Sequence, residues 1–235
     1  MNVIFSFYPT IAAISIWFDR RRGLALGIAV AGSSLGAIFW SMILQYLLDH
    51  VGFGWTVRAS GFISLGILLP ASLLVVERPK EERDAPTPIN WKGIMTQAPF
   101  IVFSVGMMLV LWGMFIPFFY LPSYGEHNGL PASAANDLLA YLNAGSFAGR
   151  LLTGLLADRT GRFNTISLAS LCCTVLLYCL HVMETSSSII AFSVLYGVAS
   201  GGLISLQPAC VAEITPNKDI LGVKIGLMMA LCSAG

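Results

Sequence analysis

NAGSFAGRLLTGLLADRTGRFN, residues 143–164, is an uncharged helical run interrupted by one arginine and closed by a compact cluster of charges. Arg150 is the only charged residue between Asp137 and Asp158. At about 1.5 Å of rise per helical residue, Arg150 stands roughly 12 Å from Asp158, nearly half the thickness of a ~30 Å hydrocarbon core. A helix crossing a bilayer here holds its guanidinium near the midplane, where an unpaired cation costs about 2.5–3.5 kcal/mol on insertion scales. Water, a partner or an anionic ligand must offset that cost. In a soluble protein the same arginine would snorkel off one end of a core helix, and composition decides between the two settings.

Of the 235 residues, 56% are hydrophobic and only 11% are charged, with a mean hydropathy of +0.78, against about 25% charged residues in soluble domains. The chain reads as an all-α polytopic membrane protein, with the lipid bilayer as its surroundings. A net charge of +1 supplies no basic field for nucleic acid. Cys172, Cys173, Cys179, Cys210 and Cys232 fall in or beside apolar runs without histidines at metal-ligand spacing, so they read as small core hydrophobes and imply no metal or cofactor. No Ser, His and Asp constellation, H-E-x-x-H or phosphate loop points to an enzyme. Nothing basic precedes the first apolar run, which reads as a retained helix rather than a cleaved signal.

In chain order, residues 1–17 are uncharged and end at the aromatic pair Trp17 and Phe18, followed by Asp19 and Arg20, Arg21 and Arg22. Gly23 to Leu48 is a charge-free run of 26 residues in which Gly23 and Gly27, then Gly32 and Gly36, recur at four-residue spacing. Such faces let helix backbones approach closely in lipid. Gly27, Ala31 and Gly36 are therefore expected against Ala140, Ala144 or Ala148. After the turn DHVGFGW comes a span from Ala59 to Val76. Residues 77–97 mix both charge signs with Pro79, Pro86 and Pro88 and read as a solvated connection. Beyond it lie helices at about 98–122, 134–156, 165–183 and 188–207, and a last apolar run from Leu221.

Orientation follows from lysine and arginine in the connections. Arg20, Arg21, Arg22, Arg78, Lys80, Arg83, Lys92, Arg159, Arg162, Lys218 and Lys224 fall on one side and only Arg58 on the other, so the side holding 77–97 reads as cytoplasmic. His50, His127 and His181 lie toward the opposite face, where surface histidines rarely have a specific task.

WFDRRRGLALGIAVAGSSLG, followed by GFGWTVRASGFISLGIL, resembles the fourth to sixth helices of monocarboxylate porters of the major facilitator superfamily, especially fungal-type members. GRLLTGLLADRTGRFN resembles their eighth helix and its following loop, with the second copy of the motif G-x-x-x-D-R-x-G-R at residues 154–162. The resemblance implies twelve helices in two six-helix bundles around a central cavity, working by alternating access. It places Met1 within the fourth helix and Gly235 within the eleventh. A partial major facilitator fold, truncated at both ends, is expected, with about six complete transmembrane helices and partial ones at each end. Residues 1–76 would hold helices four to six, 77–97 the cytoplasmic loop, and 98–235 helices seven to eleven.

In that superfamily the corresponding loop of each half latches onto the other half on the cytoplasmic side. Pseudosymmetry directs Asp158 to the start of the fifth helix, Gly23 to Leu26, where free amides and the helix dipole favour a carboxylate. Arg159 and Arg162 can pair with Glu213 or with loop carbonyls, or serve only to fix topology. Asn143, Ser146 and Arg150 share one helix face, and a guanidinium there offers the planar fork that suits a carboxylate. In proton-coupled members of the resembled family an aspartate precedes this arginine by four residues. Here Ser146 stands in its place, which weakens a proton-coupled, lactate-type reading. Arg150 as a scaffold bonded to backbone carbonyls is the other option. Ser193, Tyr196, Ser200 and Gln207 form a polar stripe that fits a cavity wall or interhelical hydrogen bonds, and Tyr196 or Ser200 is expected within reach of Arg150. Trp112, Tyr120 and Tyr141 can line a pocket or form interfacial belts.

The expected function is secondary active transport of a small organic anion, monocarboxylate-like, or of a secondary metabolite, in a multi-pass protein of the plasma membrane. The alternative is a non-transporting remnant or membrane interaction subunit. A heptahelical receptor is disfavoured by the central loop and the motif at 154–162. Oligomeric state is not readable from these residues.

Overall fold

The computed structural model describes residue 14 and residues 22–74, 91–215 and 220–233. The expected first span at 1–17 and most of the connection at 77–97 lie outside the described residues. Helices make up the fold, with no strand among the described residues. In chain order they are α1 (Arg22–Leu74), α2 (Trp91–Met95), α3 (Ala98–His127), α4 (Ala132–Thr160), α5 (Arg162–Leu180), α6 (Ser186–Ile214) and α7 (Leu221–Cys232).

Five stretches, Gly23–Leu44, Tyr46–Leu73, Ala98–His127, Arg162–Leu180 and Ser186–Ile214, are long and apolar enough to cross a membrane. Helix α4 is 29 residues long but more polar, carrying Asn143 and Arg150. The turn expected at DHVGFGW contracts to one residue. Gly52, with φ 74° and ψ 166°, breaks α1 in a conformation that glycine adopts without a Cβ penalty. The Thr56 hydroxyl then donates to the Gly52 carbonyl at 2.8 Å. Gly161, at φ 96°, turns the chain between α4 and α5 in the same way.

Helix α6 is the hub of the bundle. Its residues from Leu203 to Ala212 are buried around nearly the whole circumference, with α4 against one side and α1, α3, α5 and α7 around the rest. The contact with α4 is built from two four-residue glycine pairs, Gly145 with Gly149 and Gly197 with Gly201. A methyl on Gly145 or Gly149 would strike the carbonyl of Val194 or Val198, and one on Gly197 or Gly201 would strike that of Leu142 or Ser146. Contact numbers rise together along both chains, so the helices run parallel, with backbones touching. Lipid offers no hydrophobic force between helices, so this close approach and its dispersion contacts supply the association.

Polar contacts tie the helix ends together. At the end that carries the basic residues, the starts of α1, α3, α5 and α7 gather with the ends of α4 and α6. At the opposite end the Tyr124 hydroxyl on α3 reaches the Leu180 and Met183 carbonyls at 2.8 and 3.0 Å. Cys173 and Cys210 are buried and Cys172 and Cys179 exposed, all of them free.

Helices α1 and α4 run antiparallel, with glycine and polar contacts over the half nearer the basic end. Gly23 meets Gly154 and Asp158, and Gly27 meets the Arg150 carbonyl and Gly154. This corrects the expected packing. The small residues opposite Gly27 are on the turn around Gly154, while Ala140 and Ala144 are exposed and Gly36, nine residues from Gly27, lies on the opposite side of α1 and faces away from α4. A methyl on Gly32 or Gly36 meets open space among the described residues.

The glycine contact makes a direct prediction. Gly149→Ala and Gly201→Ala are each expected to destabilise the detergent-solubilised protein by about 1–3 kcal/mol, the usual range for overpacking, whereas Gly36→Ala leaves thermal stability unchanged. Equal melting temperatures for all three would refute the assigned packing.

Candidate functional site

The site grows from two glycines. Gly23 and Gly154 cross without Cβ atoms between them, which lets the end of α4 slide over the start of α1. One turn beyond Gly154, Asp158 then faces the open end of α1, whose first turn has no acidic residue of its own. The backbone amides of Gly23 and Leu24 donate to Asp158 Oδ1 and Oδ2 at 2.9 and 3.0 Å. Both carboxylate oxygens are used on amides that lack intrahelical partners, and the negative charge meets the positive end of the helix dipole. Bonds of this charge-assisted kind contribute about 1.5–3 kcal/mol each.

Two turns back along α4, Arg150 is 6% exposed. Its Nη1 donates to the Val30 carbonyl and the Ser33 hydroxyl of α1, and the Ser33 hydroxyl donates to the same Val30 carbonyl at 3.0 Å. Arg150 Nε is buried and has no acceptor among the described residues. One turn further, Ser34 Oγ and Ser146 Oγ are 3.4 Å apart across the same interface. Arg150 and the two serines thus lie along the α1–α4 seam, while Phe39, Met42 and Tyr46 on α1 and Tyr141 on α4 are exposed on faces turned away from it.

Other expected residues are placed differently. Arg162 pairs with Glu213 at 3.3 Å, but Glu213 is 45% exposed, and such surface pairs contribute little. Arg159 is exposed. Asn143 donates to the Leu139 carbonyl of its own helix at 2.9 Å, one turn above Ser146. Tyr196 and Ser200 are corrections. The Tyr196 hydroxyl donates to the Met114 carbonyl of α3 at 3.0 Å, and the Ser200 hydroxyl to Gly197 within α6 at 3.2 Å. Neither bonds Arg150, because Gly197 and Gly201 occupy the α4-facing side of α6 and turn Tyr196 toward α3. Trp112 and Tyr120 are exposed on α3.

Sequence reasoning missed Ser33 and Ser34, whose α1 positions gained meaning only once α4 lay beside them. It also read Lys224 as a charge that merely fixes topology. Lys224 is fully buried, donates from Nζ to Gln97 Oε1 at 2.6 Å, and lies 5.4 Å from the centre of the Phe100 ring. It ties the start of α7 to the start of α3 through a hydrogen bond and a cation–π contact.

This arrangement can do two things. It can clamp two helices at one membrane face through Asp158, and it holds a permanent positive charge between α1 and α4. Among the described residues no group of three or more His, Cys, Asp or Glu could hold a metal ion.

Comparison with known proteins agrees with this organisation. Residues 5–235 match the family model of the Major Facilitator Superfamily. The chain is 65% identical over 230 residues to the MFS-type transporter pynF of Aspergillus niger, covering 97% of this chain and 53% of that protein. It is 36% identical over 233 residues to the agnestins efflux protein AgnL12 of Paecilomyces divaricatus, covering 99% of this chain and 53% of the relative. With the aspyridones efflux protein apdF of Emericella nidulans the identity is 37% over 236 residues, covering 99% and 47%. The chain spans about half the length of these curated relatives, and their printed names describe transporters rather than enzymes. From its glycine-crossed helices to the matched length of its sequence, the chain belongs to the Major Facilitator Superfamily.

Proposed function

We propose that the chain works in a secondary active transporter that exports a small organic metabolite across the plasma membrane by alternating access, and that the metabolite meets Arg150 through an acidic, monocarboxylate-like group. On this reading residues 1–76 and 98–235 belong to two halves joined by a cytoplasmic connection at 77–97, and the basic end faces the cytoplasm. The observation that carries the reading is the uneven contact between α1 and α4. They are joined by Asp158, Gly23 and Leu24 at the basic end, and the small residues Ala140 and Ala144, farther along α4, are exposed. A cleft closed toward the cytoplasm and open outward is one of the two arrangements that alternating access requires, and Asp158 is the latch that holds it.

The efflux printed in the names of two relatives gives the direction. The acidic cargo follows from Arg150, which cannot lose its proton to escape burial and whose fork matches a carboxylate. Asn143 and Ser146, on the same helix, form the adjoining wall, and Tyr196 and Ser200 support that wall from behind. Arg162 with Glu213, and Arg159 at the surface, help hold the loop that carries the latch.

Asp158→Asn keeps one acceptor oxygen but loses the charge and the second one. In a cysteine-free background, a cysteine at Leu26, which is fully buried, is expected to react slowly with a membrane-impermeant maleimide from the cytoplasmic side, and at least several-fold faster once Asp158→Asn is added. An unchanged rate would remove the latch. For cargo, Arg150→Ala is expected to abolish export of an organic acid, and Arg150→Lys to impair it strongly although the charge is kept. Full export by well-inserted Arg150→Ala protein would make the arginine a scaffold.

A further inference from the structure

Arg150 is held in a way that denies its fork to any cargo. A carboxylate grips a guanidinium bidentately through two of its nitrogens, either the two terminal ones or one terminal nitrogen with Nε. Nη1 carries two hydrogens and has two acceptors, the Val30 carbonyl and the Ser33 hydroxyl of α1. Nε is buried and has no acceptor among the described residues. Each bidentate edge therefore contains one nitrogen that is occupied or out of reach, and the whole residue is 6% exposed.

The occupying groups are themselves arranged as an acceptor pair. The Ser33 hydroxyl donates its hydrogen to the Val30 carbonyl at 3.0 Å, which leaves its lone pairs directed at Arg150. A carbonyl oxygen and a hydroxyl oxygen side by side, both accepting from one terminal nitrogen, use both hydrogens that this nitrogen could offer a carboxylate. They belong to α1, whereas Arg150 belongs to α4, so the pairing exists only while the two helices are closed at the basic end.

We propose that Val30 and Ser33 are a built-in stand-in for the acidic cargo, taking over the Arg150 guanidinium as α1 and α4 close and so ejecting the cargo into the outward cleft. This rests on the reading that Arg150 meets an acidic cargo. A buried guanidinium must always have acceptors, and the exchange keeps it supplied in both arrangements: oxygens of the cargo when the helices part, oxygens of α1 when they meet. The stand-in is neutral and hence weaker than a carboxylate, so cargo can reclaim the arginine when the cytoplasmic side reopens. Ser33 is thus a positioning residue for release.

The test uses the intact transporter in proteoliposomes with a panel of aromatic monocarboxylates, each paired with its methyl ester as a neutral control. Ser33→Ala removes half of the stand-in and also the hydrogen bond that orients the other half. It is expected to lower both KM and the maximal export rate for the acids by roughly 10-fold, the lower end for one charge-assisted bond, because cargo is held longer after the cytoplasmic side closes. Ser33→Thr, which keeps the hydroxyl, is expected to restore both. The neutral esters should not respond. A Ser33→Ala protein with unchanged constants, or with a raised KM, overturns the proposal. If Arg150→Ala abolishes acid export while Ser33→Ala has no effect, only the stand-in falls. If Arg150→Ala still exports the acids, or no acid in the panel is carried, the acidic-cargo reading falls and the stand-in with it.

Discussion

A carboxylate on one helix closing the open end of another is the interaction on which the arrangement of α1 depends. The first turn of α1 has amides without intrahelical acceptors and no acidic side chain to neutralise its dipole. Asp158 supplies both from α4, but only because Gly23 and Gly154 let the two backbones cross at a distance that any side chain would forbid. The motif G-x-x-x-D-R-x-G-R contains both parts of the device: a glycine for approach and, one turn later, the carboxylate that approach makes useful. Gly161 then ends α4 so that Arg162 can start α5 near Glu213.

From that crossing the contacts between the two helices run for about three turns, which gives every residue along the seam its character. Gly27 lies against the Arg150 backbone, Val30 and Ser33 against its guanidinium, and Ser34 against Ser146. Beyond them α1 presents Phe39, Met42 and Tyr46 to its surroundings. On the other side α4 is fixed to α6 through paired glycines. The helix that bears Arg150 is therefore held on both flanks by close glycine contacts, with charge-assisted polar bonds added on the α1 side.

Much of this was legible in the residues themselves. Low charge and long apolar runs made the chain polytopic, and the resemblance of the motif at 154–162 directed Asp158 to the start of α1, where it is found. Arg150 stood out because a lone cation in a long apolar helix must have acceptors. What stayed hidden was pairing. The pairs Gly23 with Gly27 and Gly32 with Gly36 have the same spacing along the chain, yet only the first lies on the face of α1 that meets α4. Gly145 with Gly149 and Gly197 with Gly201 carry the most extensive contact of the fold, but spacing within a helix does not name the helix it meets. Tyr196 looked like a cavity residue because it shares a face with Ser200, and one step of rotation past Gly197 sent its hydroxyl to Met114. Ser146, where the resembled family has an aspartate, is enclosed between Ser34 and the backbone of Gly201, a place suited to a small neutral side chain.

The central claim is that the α1–α4 contact at the basic end is one of two arrangements and that Asp158 sets its population. Spin labels at Ala25 and Leu155 in a cysteine-free, membrane-reconstituted transporter report the separation of the two helices directly by pulsed dipolar spectroscopy. The account predicts a short distance as the main component with Asp158 intact, and growth of a longer second component at its expense in the Asp158→Asn variant. A single short distance in both proteins would contradict it.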